Sequence, residues 1–356
     1  MEASMWGKRV VFTGASREMG HFAALELARR GAEVLVVGHN EARGAATAKA
    51  IRGLGASADF VRADLGDGSE VRALADAVLA RPRSIDVLIH SAGGLAPASA
   101  RTSEGVDRGF AQNFLGAYLL TRLLEERLLA SAPARVIAVG SSTHRMVKRF
   151  DAQDFMRPSK DLSQRSRFQR GSYQMLSYQV SKFAVTAWIH SLARRWAGTG
   201  VTANVLDPAM VKSELGEHFE GPAVMDFMMS RLVPFFVAAD PKRAAEYYIR
   251  LATDPRLAKV SGMYFVSGKE KPKDCSPLAL DRDVQKRIVD AAEAWAAPFL
   301  PAHLLSAPPS ATSAANSGAD AIASKTGGRL DGRAVDGDVE RPGTRPEAAA
   351  DPADRY

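Results

Sequence analysis

The feature that most restricts this chain is an alternation running through roughly its first 140 residues. Short β-branched runs stand at Arg9–Thr13, Glu33–Val37, Asp59–Val61, Asp86–Ile89 and Arg135–Val139, with helical stretches between them at Gly20–Arg30, Ala42–Gly53, Ser69–Leu79 and Phe110–Leu129. Strands alternating with helices predict βαβ units and a parallel sheet. Strands that are apolar almost throughout predict a sheet covered on both faces. The pattern resumes with a helix at Tyr178–Trp196, a strand at Val201–Leu206, a helix at Pro241–Thr253 and a last strand at Gly262–Val266. No long linker separates these elements. The expectation is one α/β domain over residues 1–304, a doubly wound parallel sheet. Residues 305–356 are rich in Ala, Ser, Gly, Pro and Asp, and Tyr356 is their only aromatic. Such a segment buries too little apolar surface to offset its ordering entropy, and a disordered tail is expected.

Composition excludes several classes. Hydrophobic residues make up 46% of the chain, as in a globular protein. The lone cysteine, Cys275, can form neither an internal disulfide nor a metal cluster. The start, MEASMWGKRVVFTGAS, lacks the apolar core of a secretory signal, and no apolar run is long enough to span a bilayer. A soluble cytoplasmic protein without a membrane anchor is expected. The net charge of +7 reads as a basic surface rather than a nucleic-acid partner, because no basic run is interleaved with aromatics.

The chemistry-bearing residues follow strand ends. After the first strand comes Thr13-Gly14-Ala15-Ser16-Arg17-Glu18-Met19-Gly20, then a helix. Gly14 and Gly20 suit a turn that lets backbone approach a pyrophosphate, which the helix N-terminus then binds through unpaired N–H groups. The second strand ends Val37-Gly38-His39-Asn40, without the acid that would hold ribose hydroxyls. With Arg17 and His39 available for a 2′-phosphate, the pattern favours NADP(H) over NAD(H). Asp64-Leu65 after the third strand and Ser91-Ala92-Gly93 after the fourth could meet the adenine and the cofactor backbone. Either group could also be plain turn chemistry.

Tyr178 and Lys182, four apart, share a helical face. An ammonium beside a phenol favours the phenolate, so Lys182 is expected to lower the Tyr178 pKa and make it an acid or base near neutrality. Ser141 follows the strand Arg135–Val139 and could polarise a carbonyl. Asn113 interrupts an apolar helix.

These elements in this order resemble the short-chain dehydrogenase/reductase family over roughly residues 6–300. Within it, Asn113-Phe114-Leu115-Gly116-Ala117-Tyr118-Leu119-Leu120-Thr121 and Ser141-Ser142-Thr143-His144 are similar to the retinol-dehydrogenase-like branch. The resemblance implies a Rossmann-type fold. It also implies Tyr178 as general acid/base, Lys182 on the nicotinamide ribose and tuning Tyr178, Ser141 orienting the carbonyl, and Asn113 holding a water in a proton relay. It places Gly14, Ser16, Arg17, Met19, Gly20, His39, Asp64, Leu65, Ser91, Ala92, Gly93, Pro208 and Ser213 around the cofactor, with Tyr178 and Lys182. It further implies a substrate lid at Phe219–Phe236 and a homodimer through the helices carrying Asn113 and Tyr178. The Met- and Phe-rich lid suits a hydrophobic small molecule, reduced at a ketone or aldehyde or oxidised at the alcohol, and the polar Arg145–Met175 should border the entrance. Five positions depart from the family pattern: Glu18 and Ala209 replace glycines, His90-Ser91 stands for two asparagines, and Gly140 for a serine. Glu18 and Ala209 would also suit a non-catalytic nucleotide sensor or scaffold of the same fold.

Overall fold

The computed structural model describes residues 4–156, 162, 164–211, 219–223 and 239–306. Eight strands form one sheet in the order β3-β2-β1-β4-β5-β6-β7-β8. They are β1 (Arg9–Thr13), β2 (Glu33–Gly38), β3 (Ala58–Arg62), β4 (Val87–His90), β5 (Ala134–Val139), β6 (Val201–Asp207), β7 (Tyr264–Val266) and β8 (Lys269–Glu270). All pairs are parallel except β7–β8. The order reverses between β1 and β4, the place where doubly wound sheets open a ligand crevice at their carboxyl ends.

Side-chain alternation along β1 shows how the sheet is covered. Val10 and Phe12 face a layer made by α1 (Glu18–Arg29), α2 (Glu41–Gly53) and α6 (Pro241–Thr253). Val11 faces the opposite layer, built by α3 (Gly68–Leu79), α4 (Gly116–Ala130), α5 (Arg167–Arg195) and α7 (Arg282–Ala296). Each large apolar side chain buried this way contributes about 1.5–3 kcal/mol, and Val10, Val11 and Phe12 at the centre of β1 are all fully buried.

Most expected elements stand within a residue or two of their predicted ends. Two differences have physical reasons. The helix carrying Tyr178 begins at Arg167, not at Tyr178, because Ser166 and Gln169 form a capping box: the Gln169 N–H donates to Ser166 Oγ and the Ser166 N–H to Gln169 Oε1. The final strand turns back as β8 through Ser267-Gly268, both at positive φ, which fits a two-residue hairpin turn. The Arg145–Met175 stretch is not simply a polar rim. Phe155 within it is fully buried, stacked between Phe110 and Tyr173. The tail beyond Ser306 lies outside the described residues.

Helix α7 lies across α4 and α5. Glu293 accepts from the Tyr118 hydroxyl (2.5 Å) and from Arg122 (3.0 Å), and Arg122 also donates to the Leu304 carbonyl (3.1 Å). Beneath it Arg122 and Arg195 pair with Glu125, which also accepts from the Trp196 indole. Among the described residues no helix is long and apolar enough to cross a membrane.

Candidate active site

The carboxyl ends of β1, β4, β5 and β6 bring the expected residues into one crevice. Ser141 follows β5 and caps a short 3-10 turn, accepting from the Thr143 hydroxyl (3.0 Å). Its hydroxyl also hydrogen-bonds Tyr178. Lys182 is buried, donates to the Val139 carbonyl at 2.9 Å, and stands 5.7 Å from the centre of the Tyr178 ring. Asn113 sits in a π-helical turn, Ala111–Leu115, that leads into α4. Such turns insert one extra residue and re-aim a side chain. Its carboxamide grips Gly94 twice, accepting from the N–H (2.7 Å) and donating to the carbonyl (3.0 Å). A Cβ on Gly93 would lie 2.3 Å from Asn113 Oδ1 and 3.6 Å from Lys182 Nζ. Asn113, Gly93 and Lys182 therefore crowd one spot that tolerates no side chain at position 93.

The electrostatics correct one expectation. Tyr178 is not lowered by its lysine. Burial pushes it up to about 12, the Ser141 hydrogen bond pulls it down, and the Asp207 carboxylate adds to the rise. Burial takes Lys182 down to about 8, opposed by Asp207. The i, i+4 spacing suggested a dominant ammonium; helix α5 instead places both groups deep enough for desolvation to win.

At the cofactor end, Gly14 has φ 78, and a Cβ there would lie 2.5 Å from the Ala92 nitrogen; one on Gly20 would lie 2.4 Å from the Gly14 carbonyl. The turn and the Ser91-Ala92 loop thus pack backbone to backbone, and α1 starts after Arg17 with no side-chain cap on its first N–H groups. These groups fit a bound pyrophosphate. Met19 lies in the first turn of α1. Ser16 Oγ lies against Gly38 at the end of β2, where a Cβ would meet it at 2.9 Å. His39 is exposed beside Asp64, whose charge it stabilises.

Asp64 has a partner that sequence reasoning missed. Arg108 pairs with it across the crevice, and the Gly66 N–H donates to it at 2.9 Å. Burial works to raise the Asp64 pKa, but these two hydrogen bonds and the Arg108 charge hold it below the ordinary value. Nothing local in the sequence marks Arg108, which meets Asp64 only through the fold. Leu65 follows it, buried; Pro208 is buried directly after β6. Ser213 and the lid residues Met225–Phe236 lie outside the described residues. Phe219 at the lid's start leans on Gly171, and the Glu220 N–H donates to Gln174 (2.7 Å), so this segment docks on the first turns of α5.

Glu18 and Ala209, which replace family glycines, sit at φ 44 and φ 59. The left-handed backbone survives without glycine, at a strain of about 1–2 kcal/mol per residue. Restoring glycine removes that strain but adds about 0.5–1 kcal/mol of unfolded-state entropy. Ala209→Gly and Glu18→Gly should therefore each stabilise the fold by about 0.5–1 kcal/mol, read as a higher urea midpoint. A lower midpoint would show the conformation to be unstrained.

The sequence profile described as short chain dehydrogenase matches residues 8–150, and that described as Enoyl-(Acyl carrier protein) reductase matches residues 162–266. Human retinol dehydrogenase 13 is 33% identical over 81% of this chain and 84% of its own length. Human retinol dehydrogenase 12 is 34% identical over 79% and 84%. The chain belongs to the short-chain dehydrogenase/reductase family. Within it, this short-chain dehydrogenase stands with the retinol-dehydrogenase-like branch and is an oxidoreductase of CH–OH and C=O groups. In fold it is similar to an uncharacterized protein of Mycobacterium paratuberculosis (26% identity, TM-score 0.62, 83% of this chain and 96% of that one) and to a dehydrogenase/reductase of Sinorhizobium meliloti (25%, TM-score 0.56, 74% and 94%).

Proposed function

We propose that this short-chain dehydrogenase reduces a ketone or aldehyde on a hydrophobic small molecule, using NADP(H). The observation that carries the reading is the convergence of Ser141, Tyr178 and Lys182 beside the Gly93–Gly94 loop that Asn113 holds. Gly14, Ser16, Arg17, Met19 and Gly20 would hold the phosphates, with Arg17, Ser16 and His39 toward a 2′-phosphate. Asp64, Leu65, Ser91, Ala92 and Gly93 would line the adenosine, and Lys182, Tyr178, Pro208 and Ser213 the nicotinamide end. When bound, the cofactor supplies or accepts the hydride.

The chain's own groups handle the proton. Ser141 Oγ orients the carbonyl oxygen through a hydrogen bond. Tyr178 Oη, protonated at neutral pH, donates its proton to that oxygen as negative charge develops on it. Lys182, tied to the Val139 carbonyl, fixes the position of its ammonium near the phenol. Asn113 keeps the loop beneath the site rigid. The relatives' names support a lipid-like, retinoid-class substrate, and the Met- and Phe-rich run after Ser213 suits one. A homodimer would pair through α4 and α5, on the faces that α7 leaves open.

A panel of apolar aldehydes, ketones and alcohols, assayed with NADPH and with NADH, tests the reading. Turnover of apolar carbonyls with NADPH is expected; tight NADPH binding with no turnover on any member would overturn it. The cofactor preference has its own test. In His39→Asp, a carboxylate facing the 2′-phosphate should move the NADPH/NADH ratio of kcat/KM about tenfold toward NADH, equivalent to ~1.4 kcal/mol of repulsion. An unchanged ratio would remove His39 from the pocket.

A further inference from the structure

We propose that Asp207 is a positioning residue for the Tyr178–Lys182 pair: a buried carboxylate, locked in place at the end of β6, next to the β5 residue Val139 whose carbonyl holds Lys182. The assignment rests on the reduction chemistry given above.

The geometry is specific. Asp207 is 2% exposed. One carboxylate oxygen accepts from the Ala209 N–H and the other from the Tyr264 hydroxyl, each at 2.8 Å. Neither donor carries a charge, so these bonds orient the carboxylate without neutralising it. Tyr264 belongs to the neighbouring strand β7, which holds the carboxylate from the sheet side. The Tyr264 oxygen also lies 3.3 Å from His144 Nδ1, which is 2.7 Å from the Ser141 carbonyl. His144 Nε2 accepts from the Ser276 N–H at 2.9 Å, so the imidazole proton sits on Nδ1 and the ring is neutral. A continuous polar chain thus runs from Asp207 through Tyr264 and His144 to the backbone of Ser141.

The titratable groups facing Asp207 come from several elements. Tyr178 and Lys182 lie on α5, and His190 stands behind them on the same helix. His144 and Arg145 follow Ser141. Tyr264 lies on β7, and Cys275 comes from the segment after β8. The Asp207 charge opposes proton loss from Tyr178, Lys182 and Tyr264, and at the neutral His144 ring it acts against the burial that keeps the second proton off. Arg145 works the other way on His144 and Tyr264, and does not enter the balance at Tyr178 or Lys182. Cys275 acts on Tyr264, and His144 on His190. The consequence at the pair is one-sided. Burial draws Lys182 toward its neutral amine, and Asp207 restores the ammonium; burial already favours the Tyr178 phenol, and Asp207 reinforces it. A phenol beside an ammonium is the state that donates a proton to a carbonyl.

The test uses two neutral variants. Asp207→Asn keeps the shape, and Asp207→Ser keeps an acceptor for the Ala209 N–H. NADPH affinity is followed by fluorescence across the titration of Lys182, and kcat/KM for carbonyl reduction over the same pH range. In the unaltered protein, affinity should fall as Lys182 loses its proton near pH 8. In both neutral variants that midpoint, and the alkaline limb of reduction, should move down by about one pH unit. Tyr264→Phe cuts one hydrogen bond but leaves the charge, and its midpoint should stay put. Three results would overturn the assignment: no downward shift in a folded neutral variant, an equal shift in Tyr264→Phe, or failure of both neutral variants to fold, which would make Asp207 structural. The binding midpoint needs no substrate. Absence of turnover in the unaltered protein therefore defeats the functional reading while the Asp207 result still stands or falls by itself.

Discussion

Tyr178→Phe should lower kcat/KM for carbonyl reduction by about 10³-fold, within the 10²–10⁴ that a positioned general acid contributes. The substitution removes one oxygen. The ring that packs against Lys182 remains, and so do the Val139 carbonyl that holds Lys182 and the Asn113 grip on Gly94. NADPH affinity should accordingly stay within about threefold of the parent, a difference below 1 kcal/mol. Loss of both turnover and binding would mean that the phenol organises the crevice rather than delivering a proton. Unchanged turnover would mean that another group is the acid, with Ser141 the first to examine, since it hydrogen-bonds the same oxygen.

Acidification from pH 7 to pH 5 should destabilise the fold by about 4 kcal/mol. Two histidines carry most of this. His90 is buried with Nδ1 lacking a hydrogen-bond partner, and burial pushes it down to about 3. His190, buried near Arg194 and His144, falls to about 4, again mainly through burial. Both folded values lie below the unfolded value of about 6.5. The unfolded chain therefore binds protons first as pH drops through that value, and stability declines until the native histidines themselves titrate. Over the 1.5 units between about 6.5 and 5, each costs roughly 2 kcal/mol at 1.36 kcal/mol per unit. Against a typical total of about 5–15 kcal/mol the loss is large. Urea midpoints at the two pH values measure it. His90→Asn, which can still meet the Thr121 hydroxyl that His90 contacts at 2.8 Å, should cut the pH-dependent loss by about half. A midpoint that does not move between pH 7 and 5 would show that these rings are solvated.

The fold was readable where side-chain period and local signals agree. Strand Arg9–Thr13 and helix Pro241–Thr253 stand where the apolar runs place them, the helix started by Asp240 and Pro241. The early start of α5 was also written locally, in Ser166 and Gln169, but was masked by a polar run that hides Phe155. The four residues at the chemical end could be named because Ser141 follows a strand, Tyr178 and Lys182 share a helix face, and with Asn113 they stand in the order of the short-chain dehydrogenase/reductase pattern. What those residues feel could not be read the same way. The rise at Tyr178, the Arg108 partner of Asp64 and the approach of Asp207 all depend on segments distant in sequence. The left-handed backbone at Glu18 and Ala209 lay equally out of sight, because neither residue type announces a positive φ.

Helix α7 has a bearing on how the molecule comes apart. Its Glu293 completes the charge pairing of Arg122, and the Leu304 carbonyl accepts from the same guanidinium. Without the segment from Arg282 onward, Arg122 and Glu125 on the helix that follows Asn113, with Trp196 at the end of α5, would be left as a half-finished network. Helix α7 therefore belongs to the same cooperative unit as the crevice. A protease cut ahead of α7 should loosen the active-site helices together rather than trim an appendage.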